Sequence, residues 1–142
     1  MLKGWKSMRI LIDTNVILDV LLKRSPFYET AIEVLKLSAR DDIQEFVSAS
    51  AITDIYYIAY KNLRDKAAVR ELLKKLLLIV SVAGVSEEEI QKALEFTDFE
   101  DSVQYSVAAL NEMDGIITRN VKDYSSAETQ VWEPAQFLKA VQ

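Results

Sequence analysis

The feature that most constrains the fold is a set of five short apolar runs, separated mostly by segments with helical periodicity. Each run is three to five residues long, which is typical of a buried strand and too short for a helix. Strands that alternate with helices form a parallel sheet with helices packed on both faces. We therefore predict an α/β three-layer sandwich with a central parallel sheet, whose strands cover residues 10–12, 46–49, 78–82, 116–118 and 130–132.

The length predicts a single domain with a short N-terminal extension. A chain of 142 residues, half of them apolar, can bury one hydrophobic core. Met8 is a second candidate start, so we assign residues 1–7 to an extension and residues 8–142 to the domain. No apolar run reaches the length of a membrane span, and residues 1–8 do not resemble a secretory signal. We expect a cytoplasmic protein with no membrane partner.

Cysteine and histidine are both absent from the sequence. Their absence excludes a disulfide framework, a thiol nucleophile, a zinc site of Cys and His, and a Ser-His-Asp triad. The formal net charge of −5 argues against a protein that holds nucleic acid by bulk charge, although a local basic rim could still do so.

Four aspartates stand out by their position along the chain. Asp13 directly follows the first strand, where ligands bind in parallel sheets, but this is also the position of an ordinary helix N-cap. Asp54 lies within an apolar helix without a basic residue three or four positions away, so either its face is exposed or it meets a cation, for which we favour a bound metal over a distant Arg or Lys. Asp98 and Asp101 flank a helix start, where capping and the helix dipole offer structural explanations.

A fifth aspartate, Asp123, falls in the loop after the fourth strand, near Arg119, Asn120 and Lys122. Read alone, these are ordinary loop residues. The other aspartates have contexts typical of solvent-facing or turn positions, and we assign them no role; they are Asp19, Asp41, Asp42, Asp65 and Asp114.

Isolated acids at strand ends and on an apolar helix predict a shared cluster. Converging carboxylates repel one another unless a cation neutralises them. Oxygen ligands without His or Cys favour Mg²⁺ or Mn²⁺ over zinc. Such ions activate water and stabilise the charge of phosphoryl transfer, so metal-assisted phosphodiester hydrolysis is the chemistry we expect.

Four segments, in this order, resemble the PIN domain family and together cover nearly the whole chain from Met8. The resemblance implies a Mg²⁺- or Mn²⁺-dependent ribonuclease, often the VapC-like toxin of a toxin–antitoxin pair, with RNA as substrate and an antitoxin as partner. The segments are Met8-Arg-Ile-Leu-Ile-Asp13-Thr-Asn-Val-Ile-Leu-Asp, Ser50-Ala-Ile-Thr-Asp54-Ile-Tyr-Tyr, Phe99-Glu-Asp101-Ser-Val-Gln and Ile116-Ile-Thr118-Arg-Asn120-Val-Lys-Asp123-Tyr.

The resemblance also implies roles for individual residues. It assigns the catalytic acids to Asp13, Asp54, Asp101 and Asp123. We expect Asp13, Asp101 and Asp123 to hold the metal, with Asp98 as an additional ligand, and Thr118, Arg119 and Asn120 to contact the substrate. The sequence departs from the family at Asp54, where Glu is usual, so this shorter side chain ligates through water or not at all.

Two other functional classes remain open. One is a degenerate PIN-fold module that binds RNA or protein without cutting. The other is a different aspartate-centred α/β protein, a phosphatase or a receiver domain. A receiver needs an acid next to Asp13, and a haloacid-dehalogenase-type phosphatase needs one at residue 15, which is Asn15. No Gly-rich phosphate loop is present either.

One helix carries more large apolar surface than the side of a sheet requires. Tyr56, Tyr57 and Tyr60 lie there with Ile52 and Ile55. We expect the surplus to form a homodimer seam or to receive an antitoxin helix, with ordinary core packing as the alternative.

Overall fold

The computed structural model describes residues 7–142, so the expected extension lies outside the described residues except for Ser7. The strands are β1 (Met8–Ile12), β2 (Ile43–Ser48), β3 (Ser81–Ala83), β4 (Gly115–Ile117) and β5 (Gln130–Trp132). The helices are α1 (Thr14–Leu21), α2 (Tyr28–Lys36), α3 (Ala49–Leu63), α4 (Lys66–Leu76), α5 (Glu87–Ala93), α6 (Phe99–Leu110) and α7 (Pro134–Ala140). Two 3-10 turns cover Leu37–Ala39 and Val121–Tyr124. Within residues 7–142, no helix is both long enough and apolar enough to cross a membrane.

The five strands form one parallel sheet in the order β3-β2-β1-β4-β5. Leu11 in β1 pairs with Phe46 of β2 on one side and with Ile116 of β4 on the other. The chain builds outwards from β1 to β3 and then returns to add β4 and β5 on the opposite side. The direction of the sheet therefore switches between β1 and β4, and a crevice is expected beyond the carboxyl ends of these two strands.

Helices cover both faces of the sheet, as the strand pattern predicts. Side chains alternate along β1, so Ile10 and Ile12 pack under α1, α2, α3 and α7, while Leu11 packs under α5 and α6. Phe137 of α7 is fully buried on the first face, and Val107 of α6 on the second. The predicted three-layer α/β sandwich is confirmed.

The third strand lies further along the chain than predicted. We expected residues 78–82, but β3 covers Ser81–Ala83. The amides of Leu78 and Ile79 donate to the carbonyls of Lys75 and Leu76, so these residues belong to the last turn after α4. Leu78 is 87% exposed, which shows that this part of the apolar run does not enter the core.

One acidic side chain of the sheet is buried on the first face, which α1, α2, α3 and α7 cover. Glu45 on β2 has the same orientation as its neighbours Ile43 and Val47, and it is only 3% exposed. Neither of its carboxylate oxygens has a hydrogen-bond partner among the described residues. Burial raises the pKa of Glu45 to about 8, so the side chain is mainly protonated at neutral pH.

Candidate active site

The crevice between the ends of β1 and β4 contains the first predicted acid. Asp13 directly follows β1, and its amide donates to the carbonyl of Ile117 at the end of β4, over 2.9 Å. Thr118 follows Ile117, so the two side chains meet where the sheet direction switches. Asp13 is 7% exposed. Because its amide is bonded to β4, the sheet fixes its position.

Three neutral groups donate to the carboxylate of Asp13. The hydroxyl of Thr118 lies 3.0 Å from Oδ2, and the hydroxyl of Tyr124 lies 3.0 Å from Oδ1. The side-chain amide of Gln104 lies 3.4 Å from Oδ1. Asp13 occupies the N-cap position of α1, yet its side chain makes no capping hydrogen bond. It also makes no ion pair within residues 7–142, so its charge is solvated by dipoles and not neutralised.

These donors are themselves held in place. The hydroxyl of Thr118 accepts a hydrogen bond of 3.1 Å from the amide of Asn120, and the side-chain oxygen of Gln104 accepts one of 2.6 Å from Ser48. Burial and the charges of Asp13 and Asp101 raise the pKa of Tyr124, so its hydroxyl keeps the proton that it donates. Further hydrogen bonds therefore orient Thr118 and Gln104, and Tyr124 remains a donor to Asp13.

The first turn of α6 places a second group of acids near Asp13. Asp101 is partly buried, and its pKa is raised to about 7 by that burial, by the charge and hydrogen bond of Asp98, and by the charges of Asp13 and Asp123. Such mutual repulsion requires these carboxylates to lie near one another. Asp98 is at the N-cap position of α6 without a capping hydrogen bond, so the capping explanation considered for it does not hold.

A cleft of about 570 Å³ opens in front of these acids. Asp13, Asp101 and Asn120 line it from the sheet side and α6, and Asp54 lines it from α3. Asp54 is exposed, which is the first of the two alternatives for this acid, so it carries no burial cost that would require a cation. Its side chain nevertheless contributes to the same cavity as Asp13 and Asp101.

Arg119 has a different surrounding from Thr118 and Asn120. Its Nε lies 2.8 Å from Oδ2 of Asp19, and its guanidinium stacks on the Phe27 ring, 3.9 Å from the ring centre. Arg24 pairs with the other oxygen of Asp19, also at 2.8 Å. The expectation that Asp19 faces solvent is wrong, because it is 1% exposed and bound to two arginines. Arg119 does not line the cleft, and its predicted contact with substrate stays a prediction.

Sequence reasoning missed the groups that hold Asp13. No role is assigned to Gln104, Tyr124 or Ser48 from the sequence. One signal was available: Gln104 is a polar residue in the middle of α6, where residues 102–108 are all buried. A buried amide requires a partner, and it lies one turn after Asp101.

The donor set fits a hydrated Mg²⁺ or Mn²⁺ ion. Within residues 7–142, no three acidic side chains are spaced to enclose a metal ion. Mg²⁺ does not require such a cage, since it is usually held by one or two carboxylates and keeps several waters. Asp13 offers an unneutralised carboxylate, and Asp101 is destabilised by its acidic neighbours until a cation compensates them.

The sequence profile of the PIN domain family matches residues 9–122. The chain is 26% identical over 140 residues to Ribonuclease VapC1 of Aquifex aeolicus, which covers 94% of this chain and 95% of that protein.

Two solved structures are similar in fold. VapBC2 from Rickettsia felis, bound to a DNA fragment from its promoter, has a TM-score of 0.71 at 14% identity, covering 89% of this chain and 98% of that chain. VapC20 from Mycobacterium tuberculosis, a sarcin-ricin loop cleaving toxin, has a TM-score of 0.60 at 17% identity, covering 75% and 86%.

Proposed function

Because the chain belongs to the PIN domain family, we propose that it is a divalent-metal-dependent endoribonuclease that hydrolyses phosphodiester bonds of RNA. The observation that carries the proposal is Asp13, a buried carboxylate with three neutral donors and no cationic partner among the described residues. The similarity to Ribonuclease VapC1 supports the same activity.

The proposed metal ligands are Asp13, Asp98, Asp101 and Asp123, some of which would bind the ion through a water molecule. Bound Mg²⁺ or Mn²⁺ would lower the pKa of a coordinated water and neutralise charge that develops on the phosphate. Thr118, Tyr124 and Gln104 orient the carboxylate of Asp13 and leave its net charge intact. Groups that hydrogen-bond to a metal ligand in this way hold the ligand in one orientation.

The remaining proposed roles concern the proton and the substrate. Without a bound cation the pKa of Asp101 is raised to about 7 by burial and by Asp98, so metal binding would displace a proton from its carboxyl group near neutral pH. Asp54 lies across the cleft on α3 and is proposed to contact a water there. Asn120 lines the cleft and is proposed to bind the substrate; Thr118 acts through Asp13.

The test is cleavage of a single-stranded RNA oligonucleotide with millimolar Mn²⁺, compared with the same reaction in EDTA. We expect internal cuts that require the metal and disappear in Asp13→Asn. Cleavage that persists in EDTA would contradict the metal requirement. Binding of the oligonucleotide without any cleavage, with Mn²⁺ present, would instead favour the non-catalytic RNA-binding module.

We also propose that the protein is the toxin of a type II toxin–antitoxin pair, acting in the cytoplasm. The relatives named VapC and the VapBC2 complex support a protein antitoxin as partner. Co-expression with a candidate antitoxin should inhibit the ribonuclease and yield a stable complex on gel filtration. Inhibition without complex formation would contradict direct binding.

The proposed second partner is another copy of the chain. Tyr56 and Tyr60 are partly buried, and their ring centres are 6.5 Å apart in a stacked arrangement. Of the exposed apolar surface that we expected on α3, only the side chain of Tyr57 is therefore largely exposed. The exposed residues Leu77–Ile79, together with Val82 on the edge strand β3, offer a larger apolar strip. Light scattering should give a dimer that Leu78→Asp converts to a monomer; a wild-type monomer at high concentration would contradict the proposal.

A further inference from the structure

Three side-chain amides line the cleft in front of the acids, and they differ in what they already bind. They belong to Asn15, Gln104 and Asn120. The NH2 group of Gln104 donates to Asp13, so it is already used. Asn120 is exposed and is the proposed substrate contact on the loop after β4. Asn15 is the second residue of α1 and is half-buried.

Arg24 fixes the orientation of the Asn15 side chain. Nη2 of Arg24 donates to the backbone carbonyl of Asn15 over 3.1 Å and to its side-chain Oδ1 over 3.3 Å. A guanidinium has donors only, so the atom of the Asn15 amide that contacts it must be the oxygen. The NH2 group therefore lies on the other branch of the amide, and within residues 7–142 it has no hydrogen-bond partner.

Arg24 is itself held by a buried carboxylate. Its Nε lies 2.8 Å from Oδ1 of Asp19, and Arg119 pairs with the same carboxylate. Within the described part of the chain, no other acid lies within ion-pair distance of either arginine. Two guanidinium groups thus share one carboxylate, which leaves a surplus of one positive charge in contact with Asn15. This surplus favours an anion near the Asn15 amide.

The free NH2 group restricts the kind of ligand that Asn15 can bind. An amide NH2 group donates hydrogen bonds and does not accept them, so it does not complement a cation. Acids line the same cleft, whereas no lysine or arginine among the described residues does. The ligand that complements the NH2 group is an anion with acceptor oxygens. The non-bridging oxygens of a phosphodiester are such acceptors, and asparagine side chains are among the groups that contact them.

We infer that Nδ2 of Asn15 binds a non-bridging phosphate oxygen of the RNA strand in the cleft. Arg24, held by Asp19, is the positioning residue that orients this amide. The inference rests on the proposed ribonuclease activity and adds a substrate contact to it. A neutral donor suits this place, because a cationic side chain in the cleft would compete with the metal for the carboxylates.

The first test removes the amide. Asn15→Ala is assayed on a single-stranded RNA with millimolar Mn²⁺. We expect kcat/KM to fall about tenfold, mainly through a higher KM, because the lost hydrogen bond is made to a charged group of the bound strand. Asn62→Ala is the matched control, since it removes an exposed amide on α3 outside the cleft and should cut like wild type.

The second test removes the phosphate oxygen. RNAs with a single methylphosphonate, placed in turn at each phosphate near the main cut, carry a methyl group instead of one charged oxygen. At one position wild-type kcat/KM should fall about tenfold, and Asn15→Ala should lose little more, because amide and oxygen act as a pair. Equal losses in wild type and Asn15→Ala at every position would contradict the pairing.

The role of Arg24 is tested by Arg24→Lys. Lysine keeps a positive charge for Asp19 but lacks the planar fork that holds Asn15. KM should rise several-fold, and the same substitution in Asn15→Ala should leave KM unchanged. A lower free energy of unfolding in urea with a wild-type KM would assign Arg24 to stability alone and contradict its role as a positioning residue.

Two readouts do not depend on cleavage. Asn15→Ala should keep the Mn²⁺-dependent rise in Tm of wild type; its loss would assign Asn15 to the metal site and overturn the inference. Fluorescence anisotropy of a labelled oligonucleotide with Asp13→Asn, alone and combined with Asn15→Ala, should show about tenfold weaker binding without the amide.

These readouts separate the two proposals. If wild type cuts nothing but the loss of binding is seen, the ribonuclease proposal fails and the inference about Asn15 stands. An Asn15→Ala enzyme with wild-type KM and wild-type binding would overturn the inference. So would normal RNA binding together with a weakened complex with a candidate antitoxin.

Discussion

Two buried aspartates at either end of α1 illustrate two ways of accommodating a charge. Asp13 precedes the helix and receives hydrogen bonds from a threonine, a tyrosine and a glutamine. Asp19 lies in the helix and pairs with Arg24 and Arg119. Both are shielded from water, but only Asp19 is neutralised by described residues.

The difference separates an acid with a structural role from one that is a candidate metal ligand. The ion pairs of Asp19 neutralise its charge. The pair with Arg119 also connects α1 to the loop after β4, where Arg119 lies between Thr118 and Asn120. Neutral donors around Asp13 hold its position and leave a negative charge directed at the cleft. A carboxylate solvated only by dipoles is therefore a candidate ligand for a cation, and one bound to two arginines is a structural anchor.

The largest expected effect is the loss of activity in Asp13→Asn. The substitution keeps the shape and removes the charge, so metal-dependent RNA cleavage should fall by about three orders of magnitude, as expected when several kcal/mol of metal assistance are lost. Chemical denaturation should show an unchanged or slightly higher free energy of unfolding, because repulsion with Asp101 is relieved. A variant that cuts normally would place the metal elsewhere.

The converse change is Asp19→Ala, which should act mainly on stability. Two arginines would lose their common partner, and the free energy of unfolding should fall by about 2–4 kcal/mol. Urea denaturation measures this, with Asp42→Ala as the matched control, since the Arg40–Asp42 pair is exposed and should contribute little. Equal effects of the two substitutions would contradict the role of Asp19 as an anchor.

Glu45 extends the comparison to an acid with neither dipoles nor counter-ions among the described residues. Its pKa of about 8 lies above the usual value of 4.5, so the folded state binds an extra proton between these limits. The contribution of Glu45 to the free energy of unfolding should be greatest below pH 4.5. It should fall by roughly 2–4 kcal/mol as the pH rises from 4.5 through 8. Glu45→Gln should remove this slope in a series of urea melts. An identical pH dependence in wild type and variant would refute the assignment.

A smaller effect is expected from a single donor to Asp13. Tyr124→Phe removes one hydrogen bond of 3.0 Å and keeps the ring that packs against Tyr105. Cleavage should fall about 10–100-fold, the usual range for a group that orients a metal ligand. Apparent metal affinity, measured by Mn²⁺ dependence of the rate, should weaken in parallel. A change in stability alone would assign Tyr124 to packing.

Much of the fold follows from local sequence patterns, whereas the groups around each acid do not. Short apolar runs predict the positions of four strands, because burial on both faces leaves a continuous apolar run, although β1 and β2 begin two and three residues before the predicted runs. The prediction was wrong for the run around Leu78, because the amides of Leu78 and Ile79 donate to carbonyls at the end of α4. A capping box of Ser86 and Glu89 begins α5, and such a pattern can be read from the sequence because its two residues are three positions apart.

The partners of the acids come from distant parts of the chain. Asp13 meets Gln104, Thr118 and Tyr124 across 91 to 111 residues, and Asp19 meets Arg119 across 100. Nothing in the local context of Asp19 distinguishes it from an exposed helix residue, so its burial could be found only from the fold. The position of Asp13 after β1 was predictable, because strand ends in parallel sheets are where sites form.

The most direct test of the account is the thermal response to Mn²⁺ of Asp13→Asn and Asp19→Ala beside wild type. An ion that binds only the folded state raises the Tm as the concentration of the ion increases. We expect Mn²⁺ to raise Tm in wild type and in Asp19→Ala, from a lower starting value, and to leave Asp13→Asn unchanged. An equal Mn²⁺-dependent rise in Asp13→Asn, or none in wild type at millimolar Mn²⁺, would contradict the claim that Asp13 is the carboxylate held for a cation.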